Sequence, residues 1–256
     1  MSGIKVLLAG ESWESISIHI KGFDFFTSSS YEEGGRWLIS GLQKFGVEVD
    51  FLPNHLAAQK FPTSSEELKT YQVVILSDIG SNTLLLHPDT FIRSKRTPNR
   101  LQLLRTFVEE GGGFIMVGGY MSYQGIEGKA RYKDTPIEEI LPVTMFPGDD
   151  RMEVPEGFVP EIVKPNHPIL KQIPSQWPFM LFCNKTKLKP DGTLILKHNE
   201  FPILAVRDYG EGRTMTFTPD CGPAGAPPEF LNWEYYGRFW YQSISWLTKK
   251  SPASKG

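Results

Sequence analysis

The clearest repeat along the chain is a short apolar run that ends in a turn. Ile4–Ala9, apolar but for Lys5, stops at Gly10, Val73–Leu76 runs into Ser77-Asp78-Ile79-Gly80, and Phe114–Val117 stops at Gly118-Gly119. Runs of large apolar residues without polar alternation predict central strands buried on both faces. Val47–Leu52 alternates and predicts a further strand, ended by Pro53. Helix patterns lie between these runs. Tyr31–Phe45 places Trp37, Leu38, Leu42 and Phe45 near helical spacing, with Gly46 as the stop. Ser64 with Glu67 is a capping box opening a short helix. Thr97-Pro98 reads as a cap followed by proline at the first helical position, for a helix to about Glu110 with Leu101, Leu104, Phe107 and Val108 on one face. The order β-α-β-α-β-α-β predicts a parallel sheet with right-handed crossovers.

After Gly125 the pattern changes. Pro136–Leu141 predicts one short helix, and the proline-rich stretch from Val143 to about Trp177 reads as extended chain. Thr193–His198, Pro202–Tyr209 and Arg213–Thr218 predict strands, the last two joined by the hairpin signal Gly210-Glu211-Gly212. Asn232 is placed to cap a final helix bearing Trp233, Tyr236, Trp240, Ile244 and Leu247 as an apolar stripe. The expected architecture is α/β: a flavodoxin-like three-layer sandwich, its central sheet mostly parallel with antiparallel strands added late. Residues 1–248 read as one domain, followed by a polar tail at 249–256.

Two connections are long. The first, ESWESISIHIKGFDFFTSSSYEEGG, reads as an irregular aromatic-rich loop in which SISIHIKGF is a short exposed strand able to pair with another chain. Its Glu11, Trp13, His19 and Asp24 could line a pocket or a subunit contact, and loop aromatics favour the contact. The second, SNTLLLHPDTFIRSKRT, is partly apolar. The basic run Arg93, Lys95, Arg96 and Arg100 reads as a solvated loop and helix face rather than a phosphate site.

Composition narrows the function classes. The chain has 256 residues and a formal net charge of -2, which does not point to nucleic acid or an acidic membrane. Its 2 cysteines are too few for a disulfide framework, which fits a reducing cytoplasm. Met1 leads directly into the first strand without a basic leader, and no apolar run reaches the ~18 residues of a membrane span. A soluble cytoplasmic protein is expected.

Candidate chemistry gathers at strand ends. In an open parallel sheet the carboxyl edge is where ligands bind. Gly118, Gly119 and Tyr120 there form either an anion or carbonyl site, with backbone N–H donors oriented by the phenol, or a tight turn whose tyrosine packs on a neighbour. Asp78, on the same edge, either binds a ligand or caps its turn. His167 is the best-placed general base by residue type, or a loop histidine bonded to backbone. Cys221 follows a strand and is either a relocated nucleophile or an inert small side chain. Cys183 reads as core. His19, His55, His87 and His198 are scattered without metal-ligand spacing, so no metal and no cofactor are expected.

FVEEGGGFIMVGG, SDIGSNTLLLHP, NHPIL at Asn166–Leu170 and the hairpin YGEGRTMTFTPD before a helix rich in Trp and Tyr carry a resemblance over most of the chain. In this order they resemble the class I glutamine amidotransferase-like superfamily, nearest to its trehalose-utilization-type members. The resemblance implies a cysteine at the elbow after the glycine pair, with a later His and Glu. Here that position is Tyr120, and no cysteine precedes Phe182. A phenol with pKa ~10 is a poor substitute for a thiolate. Glutaminase chemistry is therefore not expected. The expected role is a catalytically degenerate member that binds a small molecule or assembles as a homo-oligomer. The alternative is a hydrolase or carbohydrate-modifying enzyme using Asp78, His167 and Cys221 in the same cleft.

Overall fold

The computed structural model describes residues 3–249. Strand β1 (Lys5–Gly10) is followed by a hairpin of β2 (Ser12–Lys21) and β3 (Asp24–Glu33), then α1 (Arg36–Gln43) and β4 (Glu48–Leu52). Next come α2 (Asn54–Lys60), α3 (Ser65–Leu68) and β5 (Val73–Ser77). Helices α4 (Ser81–Leu85), α5 (Pro88–Phe91) and α6 (Arg100–Glu109) lead to β6 (Gly113–Val117). The later half holds α7 (Pro136–Ile140), β7 (Val143–Met145), β8 (Arg151–Phe158), β9 (Glu161–Ile162), β10 (Met180–Asn184) and β11 (Thr186–Leu188). It closes with β12 (Thr193–His198), β13 (Phe201–Tyr209), β14 (Gly212–Phe217), α8 (Pro228–Leu231) and α9 (Tyr236–Leu247).

The central sheet has 8 strands in the order β4-β1-β5-β6-β14-β13-β12-β9. Neighbours from β4 to β14 run parallel, and the remaining pairs are antiparallel. This is the α/β sandwich anticipated from the apolar runs. Strand period 2 sends successive residues to opposite faces, and both faces are covered. Val6, Leu8, Val73, Ile75, Ile115 and Val117 join a core with α1 and α9. Leu7, Ala9, Val74, Leu76, Phe114 and Met116 join a second core with α2, α3, α4 and α6. Each fully buried side chain of this size contributes roughly 2 kcal/mol. Two-sided burial is why these strands read as apolar runs.

Several boundaries differ from the expectation. The first long connection is not irregular: it is the β2–β3 hairpin, and Tyr31 belongs to β3 rather than to α1. The second holds α4 and α5. Asn99, not Thr97, caps α6, its side chain accepting from the Leu101 and Gln102 N–H groups. Asn232 ends α8 instead of starting α9. The stretch from Val143 to Trp177 contains three strands. The Ser64 cap is present, accepting from the Glu67 N–H at 3.2 Å. The polar tail lies outside the described residues from 250 on.

Arg100 is also corrected. It is 1% exposed, not part of a solvated face. Its guanidinium donates to the carbonyls of Ala57 and Ala58 at the end of α2 and of Thr83 and Leu84 in α4. Late helical carbonyls lack a full set of intrahelical partners; Ala57 also accepts from the Phe61 N–H at 3.1 Å, and Arg100 supplies the others. Burial lowers the Arg100 pKa to about 10, so the group stays charged at neutral pH.

Candidate functional site

Strand register builds the site. Gly10 pairs with Ser77, Ser77 with Val117, and Val117 with Phe217. Four parallel strands thus end in one row, and the residues that follow each end meet at one edge. Glu11 and Asp78 take the next positions on β1 and β5. Both have left-handed backbone, with φ of 46° and 47°. The Glu11 N–H donates to the Ser77 carbonyl at 2.7 Å, and the Asp78 N–H to Ser122 Oγ at 3.1 Å.

Behind this edge sits a buried acidic group. Glu11 is 1% exposed. The Ser77 hydroxyl donates to Glu11 Oε2, and Cys221 Sγ lies 3.8 Å from the same oxygen. Asp220 Oδ1 accepts from the Gly222 N–H at 2.8 Å. Gly222 is required here, because an added Cβ would stand 2.2 Å from Glu11 Oε1. Burial, and next the charge of Asp78, push Glu11 up to about 7. Burial followed by the charges of Glu11 and Asp78 pushes Asp220 well above the carboxylate range. Three acids this close cannot all ionise in a dry site. The edge therefore holds carboxyl protons near neutral pH, a property useful for acid–base chemistry.

Glu11, Asp220 and Cys221 also place ligand atoms within 4.8 Å of one another. They are the residues with metal-ligand spacing, a set the sequence reading did not assemble. The thiol is pushed well above its ordinary range by burial and then by the Glu11 charge, which opposes ionisation.

At the elbow, Gly119 has φ 152° and lies against Asp78, whose Oδ1 would be 2.7 Å from an added Cβ. Three backbone donors of this turn, those of Gly118, Gly119 and Met121, are already engaged. Gly118 N–H donates to the Phe217 and Pro219 carbonyls, and Gly119 N–H to Asn184 Oδ1 at 3.0 Å. Met121 N–H donates to Asp78 Oδ1 at 2.6 Å. Gly118 and Gly119, expected to present N–H groups to an anion, instead spend them on the fold. The Asp78 carboxylate occupies the place of that anion. Asn184 is itself held by Asp150, its Nδ2 donating to Asp150 Oδ1 at 2.8 Å.

Tyr120 is 43% exposed. Its hydroxyl donates to Glu153 Oε1 at 2.8 Å, and the Arg151 guanidinium lies 4.7 Å over its ring. The bond to Glu153, aided by partial burial, holds the phenol above its ordinary pKa. Beside it opens a cleft of about 400 Å³, with Tyr120, Glu153, Leu181, Phe182, Gly225 and Pro227 in its lining.

The structure brings Asp78 and Cys221 to the same edge and leaves His167 elsewhere. His167 Nδ1 accepts from the Ile169 N–H at 3.3 Å, and its ring packs 5.4 Å from Trp246. Burial, with the charges of Lys164 and Arg213, lowers its pKa to about 4. Arg213 pairs with Gly113 at the start of β6. His167 therefore sits at the opposite edge of the parallel strands, roughly 13 Å away along β14. Cys183 is buried core, its thiol pushed up to about 12 mainly by burial. Cys221 is likewise fully buried. Sequence reasoning left out Asp220, Ser77, Asn184 and Glu153. Asp220 carried a legible signal, being an acid at a strand end; the other three carried none.

A glycine elbow at the carboxyl edge of a doubly covered α/β sheet stands where open α/β folds bind their ligands. Residues 5–249 match the family described as “Putative glutamine amidotransferase”, and the chain belongs to that family. It is similar to the cytoplasmic protein STM3548 of Salmonella typhimurium, at 43% identity and TM-score 0.92 over 95% of this chain and 99% of that one. The cytoplasmic protein STM1381 of Salmonella typhimurium LT2 is similar at 42% identity and TM-score 0.92, over 95% and 99% of the two chains. A protein of Parabacteroides merdae named as thua-like shares the fold at 14% identity and TM-score 0.60, over 100% of this chain and 93% of that one. No curated protein matches the chain. Among the described residues, no helix is long and apolar enough to cross a membrane.

Proposed function

We infer that the chain is a small-molecule-binding member of its family that no longer hydrolyses glutamine, and that it acts in the cytoplasm as a homo-oligomer. One observation carries the reading. The elbow position holds Tyr120, whose hydroxyl is committed to Glu153, and the neighbouring Met121 N–H is committed to Asp78. An amidase needs an activated nucleophile and free donors for the oxyanion; the phenol is not such a nucleophile, and the N–H that follows the elbow residue is spent on Asp78. The match over residues 5–249 supports reading the stretch 1–248 as one domain. The cytoplasmic Salmonella relatives support the location.

The ligand is a neutral or cationic molecule, because the carboxylate in the cleft lining is that of Glu153. The Tyr120 and Phe182 rings, 5.7 Å apart beside a carboxylate, suit a molecule with one apolar face and several hydroxyls. Monosaccharides are the simplest probes. Calorimetric titration with neutral hexoses tests binding, and ammonia release from L-glutamine tests the loss of catalysis. Ammonia formation that disappears in Cys221→Ala overturns the reading.

A second reading, an acid–base enzyme of another class, is favoured by the protons held between Glu11 and Asp220. In it, Asp78 works from the cleft side and His167 takes no part. Turnover of a sugar substrate that is lost in Asp78→Asn would select this reading over the first.

A further inference from the structure

The β2–β3 hairpin is a ribbon with two different faces. It joins two ten-residue strands in register from Ser12↔Glu33 to Lys21↔Asp24. Ile16, Ile18 and Ile20 share one face with Phe25, Thr27 and Tyr31. The other face carries Ser15, Ser17, Ser28, Ser30 and the Lys21–Asp24 pair, together with Trp13, Glu32 and the stacked rings of His19 and Phe26. The apolar face is uncovered: Ile16, Ile18, Ile20 and Phe25 are 74%, 65%, 77% and 72% exposed. Phe23 at the tip is fully exposed. At roughly 150 Å² per large side chain, the ribbon displays about 700 Å² of apolar surface. Monomers rarely leave a patch of that size open, and a lone two-stranded ribbon is marginal in water.

A second apolar patch lies at α5. Phe91 and Ile92 at the end of α5 are 72% and 74% exposed, with Leu86 beside them. Exposed Lys95 and Arg96 flank this patch, whereas the isoleucine face of the ribbon carries Glu14 and Glu33 near its base. The two surfaces are thus complementary in charge. Helix α2 contacts both β2 and α4, so ribbon and patch emerge on either side of it.

We propose that the ribbon is an exchange arm: its apolar face docks on the Leu86–Phe91–Ile92 surface of a second copy of this chain, which returns its own arm in the same way. The proposal rests on the homo-oligomeric reading above and specifies its contact. A two-fold axis beside α2 would carry each arm onto the other body. Two such contacts bury on the order of 2,000 Å², the range of stable homodimers.

The test is light scattering with size exclusion on the full chain and on three samples. These are the double arm variant Ile18→Asp/Phe25→Asp, the body variant Ile92→Asp, and an equimolar mixture of the two. All three positions are exposed, so folding is checked by circular dichroism and expected unchanged. The wild type is expected to be a dimer or a multiple of it at micromolar concentration. Each variant alone is expected to dissociate at least about tenfold more readily. The mixture is expected to recover dimer, because one intact arm still meets one intact body. A monomeric wild type overturns this proposal together with the oligomer reading. A wild-type oligomer that both variants leave intact overturns the arm alone. Dissociation by the arm variant only, without rescue, shows that arms meet arms and overturns the docking surface.

Discussion

The Tyr120 hydroxyl donates to Glu153 Oε1 at 2.8 Å, linking the elbow after β6 to the strand β8 that walls the cleft. The link makes the tyrosine part of the binding surface instead of a reagent. Tyr120→Phe removes one solvent-accessible hydrogen bond and is expected to cost less than ~1 kcal/mol in denaturant unfolding. Tyr120→Cys is expected to yield no glutaminase. The new thiol would lack a histidine, since His167 lies at the other edge, and Asp78 would face the developing oxyanion. Glutamate formed above the blank by Tyr120→Cys would contradict this assignment.

Glu11 should impose a pH dependence on stability. Its ordinary pKa of 4.5 rises to about 7 in the fold. Below pH 4.5 both folded and unfolded chains carry the proton, and the group contributes nothing. As pH rises from there to about 7, the unfolded chain releases its proton first, so stability falls. Above that window the penalty is complete, on the order of 3 kcal/mol. Glu11→Gln keeps the shape and removes the titration. Relative to this variant, the wild type should lose stability between these limits in denaturant melts taken across the pH range; a flat difference would show that the carboxyl is not held protonated.

Gly222→Ala is expected to destabilise the chain by roughly 1–3 kcal/mol, because its Cβ would overlap Glu11 Oε1 and the surroundings are packed. Pairing it with Glu11→Ala should recover much of the loss by clearing that oxygen. A simple sum of the two effects in a double-mutant cycle would place the crowding elsewhere.

Both thiols should be silent in the native protein. Cys183 and Cys221 are buried, and burial raises the pKa of each. Titration with a disulfide reagent at pH 8 is expected to detect neither cysteine until denaturant is added, and then to detect 2. Rapid native reaction, abolished by Cys221→Ala, would return Cys221 to the list of nucleophiles.

The sheet was legible because its physics is local. Ile4–Ala9, Val73–Leu76 and Phe114–Val117 are apolar on both faces, so each announces a central strand without reference to the others. The ribbon was half legible. SISIHI alternates, but DFFTSSSYEE does not, since no core lies against it to demand alternation. The helix start slipped at Thr97 because Asn99 nearby is also able to cap, and at Asn232 because the last helix begins after Tyr235 without any side-chain cap. The site was legible as an edge and not as a constellation. Glu11 and Cys221 meet across 210 positions of sequence, and only strand register brings them together. His167 had the right chemistry, and nothing in its neighbours reveals which edge it occupies.

Arg100 has a reach beyond the helix ends it satisfies. By bonding carbonyls of both α2 and α4, it ties the helix that contacts β2 to the helix that leads into Leu86, and so would bear on the angle between the proposed arm and its ledge. In a pair of copies joined by exchanged arms, that angle decides whether two contacts close into a ring or leave a growing end. A buried cation that never reaches the surface would then govern whether the protein stays a finite particle or becomes a fibre.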